Sequence, residues 1–110
     1  MEITQAKQGQ IAILELAGHL DTNSSEIFEK KLLALFDENE HKIVVDLSKL
    51  DFISSAGLRV LLMAAKNAKR AHGKIVLCTL NEHVKYVFDT AGFAMLFPMF
   101  ATQEQAVQSF

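Results

Sequence analysis

Two short runs of consecutive apolar residues constrain the fold of this chain more than any other feature. Lys42–Leu47 and Lys74–Cys78 are each nearly continuous in apolar residues and rich in β-branched side chains. Such runs are typical of strands covered on both faces, which occur mainly in parallel sheets. Parallel strands need crossover connections, and these are usually helices. The two runs therefore predict an α/β architecture built around buried parallel strands.

Two segments with helical spacing of apolar residues flank the first of these runs. A first helix is predicted after Asp21–Ser24, with Asn23 and Glu26 at the spacing of a capping pair. A second helix follows Ser54–Gly57, and Gly73 is its predicted stop signal. We therefore expect one helix before the first buried strand and one helix after it along the chain.

The remaining segments complete the predicted order. Ile3–Ala6 and Ile11–Ala17 have the composition of a hairpin, and a short final strand is predicted near Met95–Phe97. Asn81 is the predicted cap of a third helix, and Thr102 that of a fourth. The order ββαβαβαβα predicts an α/β fold, with a mixed β-sheet, an N-terminal hairpin followed by βα units and about four helices. We expect a single domain over residues 1–110.

Composition excludes several classes of function. Cys78 is the one cysteine, so a single copy offers neither a disulfide framework nor a multi-cysteine metal site, and a reducing, cytoplasmic setting is expected. The net charge of −2 argues against direct nucleic-acid binding, and no apolar run suits membrane insertion. The histidines lack metal-ligand spacing, and phosphate loops and serine elbows are missing. We therefore expect no metal, no cofactor and no enzymatic activity.

Three polar segments are predicted to share one edge of the sheet. Gly18–Ser24, Asp51–Gly57 and Thr79–Asn81 each follow a predicted strand. In open α/β sheets, ligands and partners bind beyond the carboxyl ends of the strands. This edge is therefore the place where we expect the functional site.

The serines at the predicted start of the second helix have two interpretations. Ser54 or Ser55 could cap the helix, because serine is a favoured capping residue. A serine in this position could also carry a phosphate, since free backbone N–H groups and the helix dipole tolerate negative charge there. The residues alone leave both interpretations open.

The order and spacing of four motifs along the chain resemble those of STAS domains, in particular the anti-sigma factor antagonists of bacterial partner-switching systems. The motifs are Gly18-His19-Leu20-Asp21, Ile43-Val44-Val45-Asp46-Leu47-Ser48, Ser54-Ser55-Ala56-Gly57-Leu58, and Val84-Lys85-Tyr86-Val87-Phe88-Asp89 with Gly92-Phe93. The resemblance covers essentially the whole chain. It implies a protein that binds an anti-sigma factor serine kinase when unphosphorylated, and thereby releases the sigma factor. Phosphorylation would weaken this binding, and a PP2C-type phosphatase would restore it.

The family's Asp-Ser-Ser/Thr-Gly motif falls on Ser54, Ser55, Ala56 and Gly57. The resemblance therefore makes Ser55 the phosphorylation site, with Ser54 in place of the aspartate and as a competing acceptor. It also matches Asp21 to the acidic residue of a loop in the partner surface. The expected partner-binding residues are Asp21, Thr22, Asn23, Ser24, Ser54, Ser55, Ala56, Gly57 and Leu58.

Other functions remain open at this point. One alternative is a STAS subunit of a lipid-transport ATPase complex, which would dock without a phosphorylation cycle. Another is a nucleotide-sensing STAS module that binds its ligand at the polar edge. The apolar segment Phe93–Phe100 is expected to cover the sheet edge, and any exposed part of it predicts either a weak homodimer or a patch for another partner.

Overall fold

The computed structural model describes all 110 residues as a five-stranded sheet with helices on both faces. The elements are β1 Glu2–Gln8, β2 Ile11–Leu20, α1 Thr22–Asp37, β3 Lys42–Ile53, α2 Ser55–Arg70, β4 Lys74–Cys78, α3 Glu82–Thr90, a 3₁₀ turn Phe93–Met95, β5 Met99–Phe100 and α4 Gln103–Gln108. The predicted element order and fold class are confirmed. No helix combines the length and apolar composition needed to cross a bilayer.

The strands lie in the sheet in the order of the chain, β1-β2-β3-β4-β5. β1 pairs antiparallel with β2, as the predicted hairpin requires, and every later pair is parallel. The carboxyl ends of β2, β3, β4 and β5 therefore meet at one edge. This topology brings the three polar segments to the same side of the sheet.

Two strands are longer than predicted. β2 continues past Gly18 to Leu20, and β3 continues past Leu47 to Ile53. The two added segments pair with each other, and Leu20 lies opposite Ile53 after two shifts of register between the strands. One shift falls at Gly18, whose φ of 104° is readily adopted only by glycine.

The last strand lies further along the chain than predicted. Phe93–Met95 form a 3₁₀ turn, and the strand is Met99–Phe100, which pairs with Leu77 and Cys78 of β4. The prediction of a strand near Met95–Phe97 was wrong because the position of an edge strand depends on its partner, which local sequence does not specify.

Helices α1, α2 and α3 cover one face of the sheet and bury the larger hydrophobic cluster, which includes Phe28, Leu61 and Phe88. The opposite face is covered in part by α4, where Ala106 and Val107 contact a smaller cluster on β2, β3 and β4. The central residues of β3 are buried on both faces, as the apolar run predicted.

Candidate functional site

A backbone hydrogen bond joins the ends of β2 and β3 and brings two polar segments together. The amide of Ser54 donates to the carbonyl oxygen of Leu20 at 2.9 Å. Asp21 follows Leu20 directly, and Ser55 follows Ser54. The loop that starts α1 therefore lies beside the start of α2.

The two serines at the start of α2 have different environments. Ser54 is the N-cap, and its hydroxyl accepts from the amide of Gly57 at 3.2 Å. Ser55 is the first helical residue; it is exposed, whereas Ser54 is half-buried. Only the Ser54 hydroxyl is engaged in a hydrogen bond, so the Ser55 hydroxyl is free to react. Ser54 therefore caps the helix, whereas Ser55 is the accessible serine.

Asp21 forms a reciprocal capping arrangement with Ser24 at the start of α1. The Asp21 carboxylate accepts from the Ser24 amide at 2.9 Å, and the Ser24 hydroxyl accepts from the Asp21 amide at 2.9 Å. The Ser24 backbone bond, followed by the bond from its hydroxyl, holds the pKa of the Asp21 carboxyl below its usual value. The expectation that Asn23 caps this helix was wrong, since Asn23 already lies within it.

The expected partner-binding residues divide into exposed and buried positions. Asp21, Thr22, Asn23 and Ser55 are exposed, whereas Ser54, Ala56 and Leu58 are half-buried. Ser24 is only 7% exposed, and its hydroxyl donates to the carbonyl of His19 at 2.8 Å. Gly57 is buried, and a Cβ there would lie 2.8 Å from side-chain atoms of Leu20. Ser24 and Gly57 therefore support the expected binding surface from the interior, and a partner could contact little of either residue.

A groove between α1 and α2 adjoins this surface, and sequence reasoning did not identify it. Its volume is about 410 Å³, and its lining residues are Thr22, Ser25, Glu26, Glu29, Ala56, Arg59, Val60 and Met63. Two carboxylates from α1 thus face one guanidinium from α2. The groove was missed because it depends on how the two helices pack, which the sequence pattern does not specify.

Two exposed apolar side chains lie near the Asp21 loop. Ile27 is 62% exposed, and it lines a second groove with His19, Asp21 and other residues of the loop. Phe52 is 42% exposed, and its ring packs edge-on against His19 with centroids 6.1 Å apart. Ile27 lies outside the helically spaced apolar residues Phe28, Leu32, Leu35 and Phe36 of the first helix, which is a signal that could have identified it.

The third polar segment has a structural role in this fold. The Asn81 side chain accepts from the amide of Val84 at 2.8 Å, which confirms it as the cap of α3. The same side chain donates to the carbonyl of Leu50 at 2.8 Å and so ties α3 to β3. Both ends of the amide are therefore occupied within the protein.

Two further observations concern metal ligands and the single thiol. No group of three or more histidine, cysteine, aspartate or glutamate side chains is placed to hold a metal ion. Cys78 is buried, as predicted, and burial raises the pKa of its thiol to about 11.

In the C-terminal segment, Phe97 is buried against Phe88, whereas Met95 is 91% exposed. The predicted weak homodimer stays a prediction.

Comparison with known proteins identifies close relatives of the chain. A family model described as the STAS domain matches residues 2–106. BtrV of Bordetella bronchiseptica, which is named provisionally as an anti-sigma factor antagonist, is 40% identical over 110 residues. The match covers 100% of this chain and 95% of that protein.

Solved structures share the fold at lower sequence identity. A protein of Thermotoga maritima, also provisionally named an anti-sigma factor antagonist, has a TM-score of 0.93 at 20% identity, covering 97% of this chain and 92% of its own. The antagonist SpoIIAA in its unphosphorylated form has a TM-score of 0.86 at 23% identity, covering 98% and 95%. The phosphorylated form of SpoIIAA, from Bacillus, has a TM-score of 0.79 at 20% identity, covering 98% of both chains. On the full-length match of the family and of BtrV, this chain belongs to the STAS domain family, among the members named as anti-sigma factor antagonists.

Proposed function

We propose that this chain is an anti-sigma factor antagonist whose binding is controlled by phosphorylation of Ser55. In the unphosphorylated form it binds an anti-sigma factor that is also a serine kinase, and this binding releases the sigma factor. The observation that carries the proposal is the exposed, unbonded hydroxyl of Ser55 beside the Asp21 loop. The names of the full-length relative and of SpoIIAA support the same function.

The proposed modification is a phosphoryl transfer from ATP held by the kinase. The Ser55 oxygen forms a bond to the γ-phosphorus while the bond from that phosphorus to the bridging oxygen breaks. ADP leaves with the electron pair, and the hydroxyl proton passes to a base of the kinase. A PP2C-type phosphatase would return the serine by transferring the phosphoryl group to water.

The division of roles between the two serines supports a switch that leaves the fold intact. Modification of Ser55 spares the bond from the Gly57 amide to Ser54, so the start of α2 keeps its cap. Ser54 is half-buried and its oxygen already accepts this bond, which disfavours Ser54 as the competing acceptor. SpoIIAA has been solved in both the unphosphorylated and the phosphorylated form, and both retain the fold that this chain shares.

Charge provides the reason that phosphate would weaken binding. A phosphate adds about −1.5 to −2 charges at neutral pH. The ionised carboxylate of Asp21 belongs to the same proposed surface, so a partner that complements this surface would meet a much more negative one. A tenfold loss of affinity requires about 1.4 kcal/mol, which is below the cost of one uncompensated buried charge.

The proposed contact surface consists of accessible residues from the two adjoining segments. Its members are Asp21, Thr22, Asn23, Ser54, Ser55, Ala56 and Leu58. Ile27 and Phe52 lie beside this surface and would supply apolar contact area.

Calorimetric titration with the anti-sigma factor kinase of the source organism tests the proposal. Wild type and Ser55→Ala should bind with similar affinity, whereas Ser55→Asp should bind at least tenfold more weakly. Ser48→Asp is the matched control, because Ser48 is exposed on β3 outside the proposed surface. Equal affinity of Ser55→Asp and wild type would refute the switch.

Mass spectrometry after incubation with the same kinase and ATP tests the acceptor. We expect phosphate on Ser55 in wild type and no phosphate in Ser55→Ala. Phosphate on Ser54 in wild type would contradict the assignment. No phosphate at all, with binding retained, would favour a docking subunit without a phosphorylation cycle.

A further inference from the structure

Arg59 lies one helical turn after Ser55 on α2 and has no partner of opposite charge. Its side chain is exposed and lines the groove between α1 and α2. The ion pair in the structure joins Lys7 and Glu40, at the other end of the sheet from Ser55. Arg59 is therefore a free cation next to the proposed site of modification.

Helix geometry directs Arg59 toward Ser55. Residues four apart lie on the same face of a helix, with about 5–6 Å between their Cβ atoms. Side chains on a helix lean toward its N-terminus, so the Arg59 side chain leans toward Ser55. The favourable order for such a pair places the anion before the cation, which is the order of Ser55 and Arg59.

The other charged groups around Ser55 make Arg59 the cation available to a phosphate. Glu26 and Glu29 face Arg59 across the groove, and Asp21 lies in the adjoining loop. All three are acidic, and Met1, which carries the N-terminal ammonium, lines the separate groove that includes Ile27. The next basic residue on the same helical stripe is Lys66, about 10 Å beyond Arg59 and about 16 Å from Ser55 along α2.

We propose that Arg59 is the intramolecular counter-ion of a phosphate on Ser55. A guanidinium binds phosphate through two parallel N–H donors, which a lysine cannot match in geometry. The phosphate draws the Arg59 side chain toward the start of α2 and away from Glu26 and Glu29, with which it shares the groove but forms no ion pair. This inference rests on Ser55 as the acceptor and names the residue that stabilises its modified form.

Direct incorporation of phosphoserine at position 55 during synthesis allows a test that does not depend on a kinase. Phosphorus NMR follows the second ionisation of the phosphate in the intact chain. A paired cation favours the dianion, so the titration midpoint in Arg59→Gln should rise by about 0.3 pH units relative to the unsubstituted phosphoprotein. Arg59→Lys should keep the midpoint close to that of the unsubstituted phosphoprotein, and Lys66→Gln should leave it unchanged.

Two results would overturn the proposal. One is an unchanged midpoint in Arg59→Gln. The other is an equal shift in Lys66→Gln, which would indicate a general effect of net charge. A shift specific to Arg59 together with a negative kinase assay would remove the proposed function while leaving this pairing in place, so the two failures can be distinguished.

Discussion

Replacing Ser54 by alanine tests whether the cap of α2 and the phosphate acceptor are different residues. The substitution removes the oxygen that accepts from the Gly57 amide at 3.2 Å. Loss of a serine N-cap costs about 1 kcal/mol, which for a chain of this length lowers the melting temperature by roughly 4 °C. Ser55→Ala removes an exposed hydroxyl that makes no hydrogen bond, so we expect a change within about 0.5 kcal/mol.

Urea unfolding followed by circular dichroism measures both variants under the same conditions. Ser54→Asp is the control, because aspartate caps helices as well as serine does and should therefore restore the stability. The order of stability should be wild type, Ser55→Ala and Ser54→Asp close together, with Ser54→Ala clearly lower. The reasoning fails if Ser54→Ala matches wild type, or if Ser55→Ala is destabilised as much as Ser54→Ala.

Three further predictions concern buried and titrating groups. In Gly57→Ala, the new methyl group would lie 2.8 Å from side-chain atoms of the buried Leu20, so the free energy of unfolding should fall by about 1–2 kcal/mol; equal stability would contradict the close packing. Because the pKa of the Asp21 carboxyl is lowered in the folded state, its contribution to stability is present above the ordinary value of 3.8 and is lost as the pH falls below it. The stability difference between wild type and Asp21→Asn should therefore shrink below about pH 4 in acid unfolding curves, and a constant difference would refute the linkage. The thiol of Cys78, with its pKa raised to about 11, should not react with Ellman's reagent at about pH 8 until guanidinium chloride unfolds the chain.

Features that depend on neighbouring residues in the chain were predicted well. Asn81 and Thr102 cap their helices as expected, since capping joins a side chain to an amide three residues later. The same logic failed at α1, because Asn23 with Glu26 has the glutamate that the capping pattern calls for, whereas the observed pair is Asp21 with Ser24. The Ser24 hydroxyl bonds to the Asp21 amide and to the carbonyl of His19 at the end of β2, and the sequence does not reveal where that strand ends.

Features that depend on distant residues were predicted less well. The extension of β3 from Leu47 to Ile53 needs a partner, and β2 supplies it only after shifts of register. The groove beside Arg59 likewise exists because α1 and α2 pack together. Ser55 itself was identified from its position after a buried strand and from the family motif, whereas its freedom from hydrogen bonds required coordinates.

The bond from the Ser54 amide to the Leu20 carbonyl has an evolutionary consequence. Both atoms belong to the main chain, so almost any residue type at either position can make the bond, proline at position 54 excepted. Side chains on the two loops can therefore diverge between paralogues, to suit different protein partners, without altering the spacing of the loops. Selection for new recognition specificity can thus change the side chains, while the main-chain bond keeps the scaffold constant.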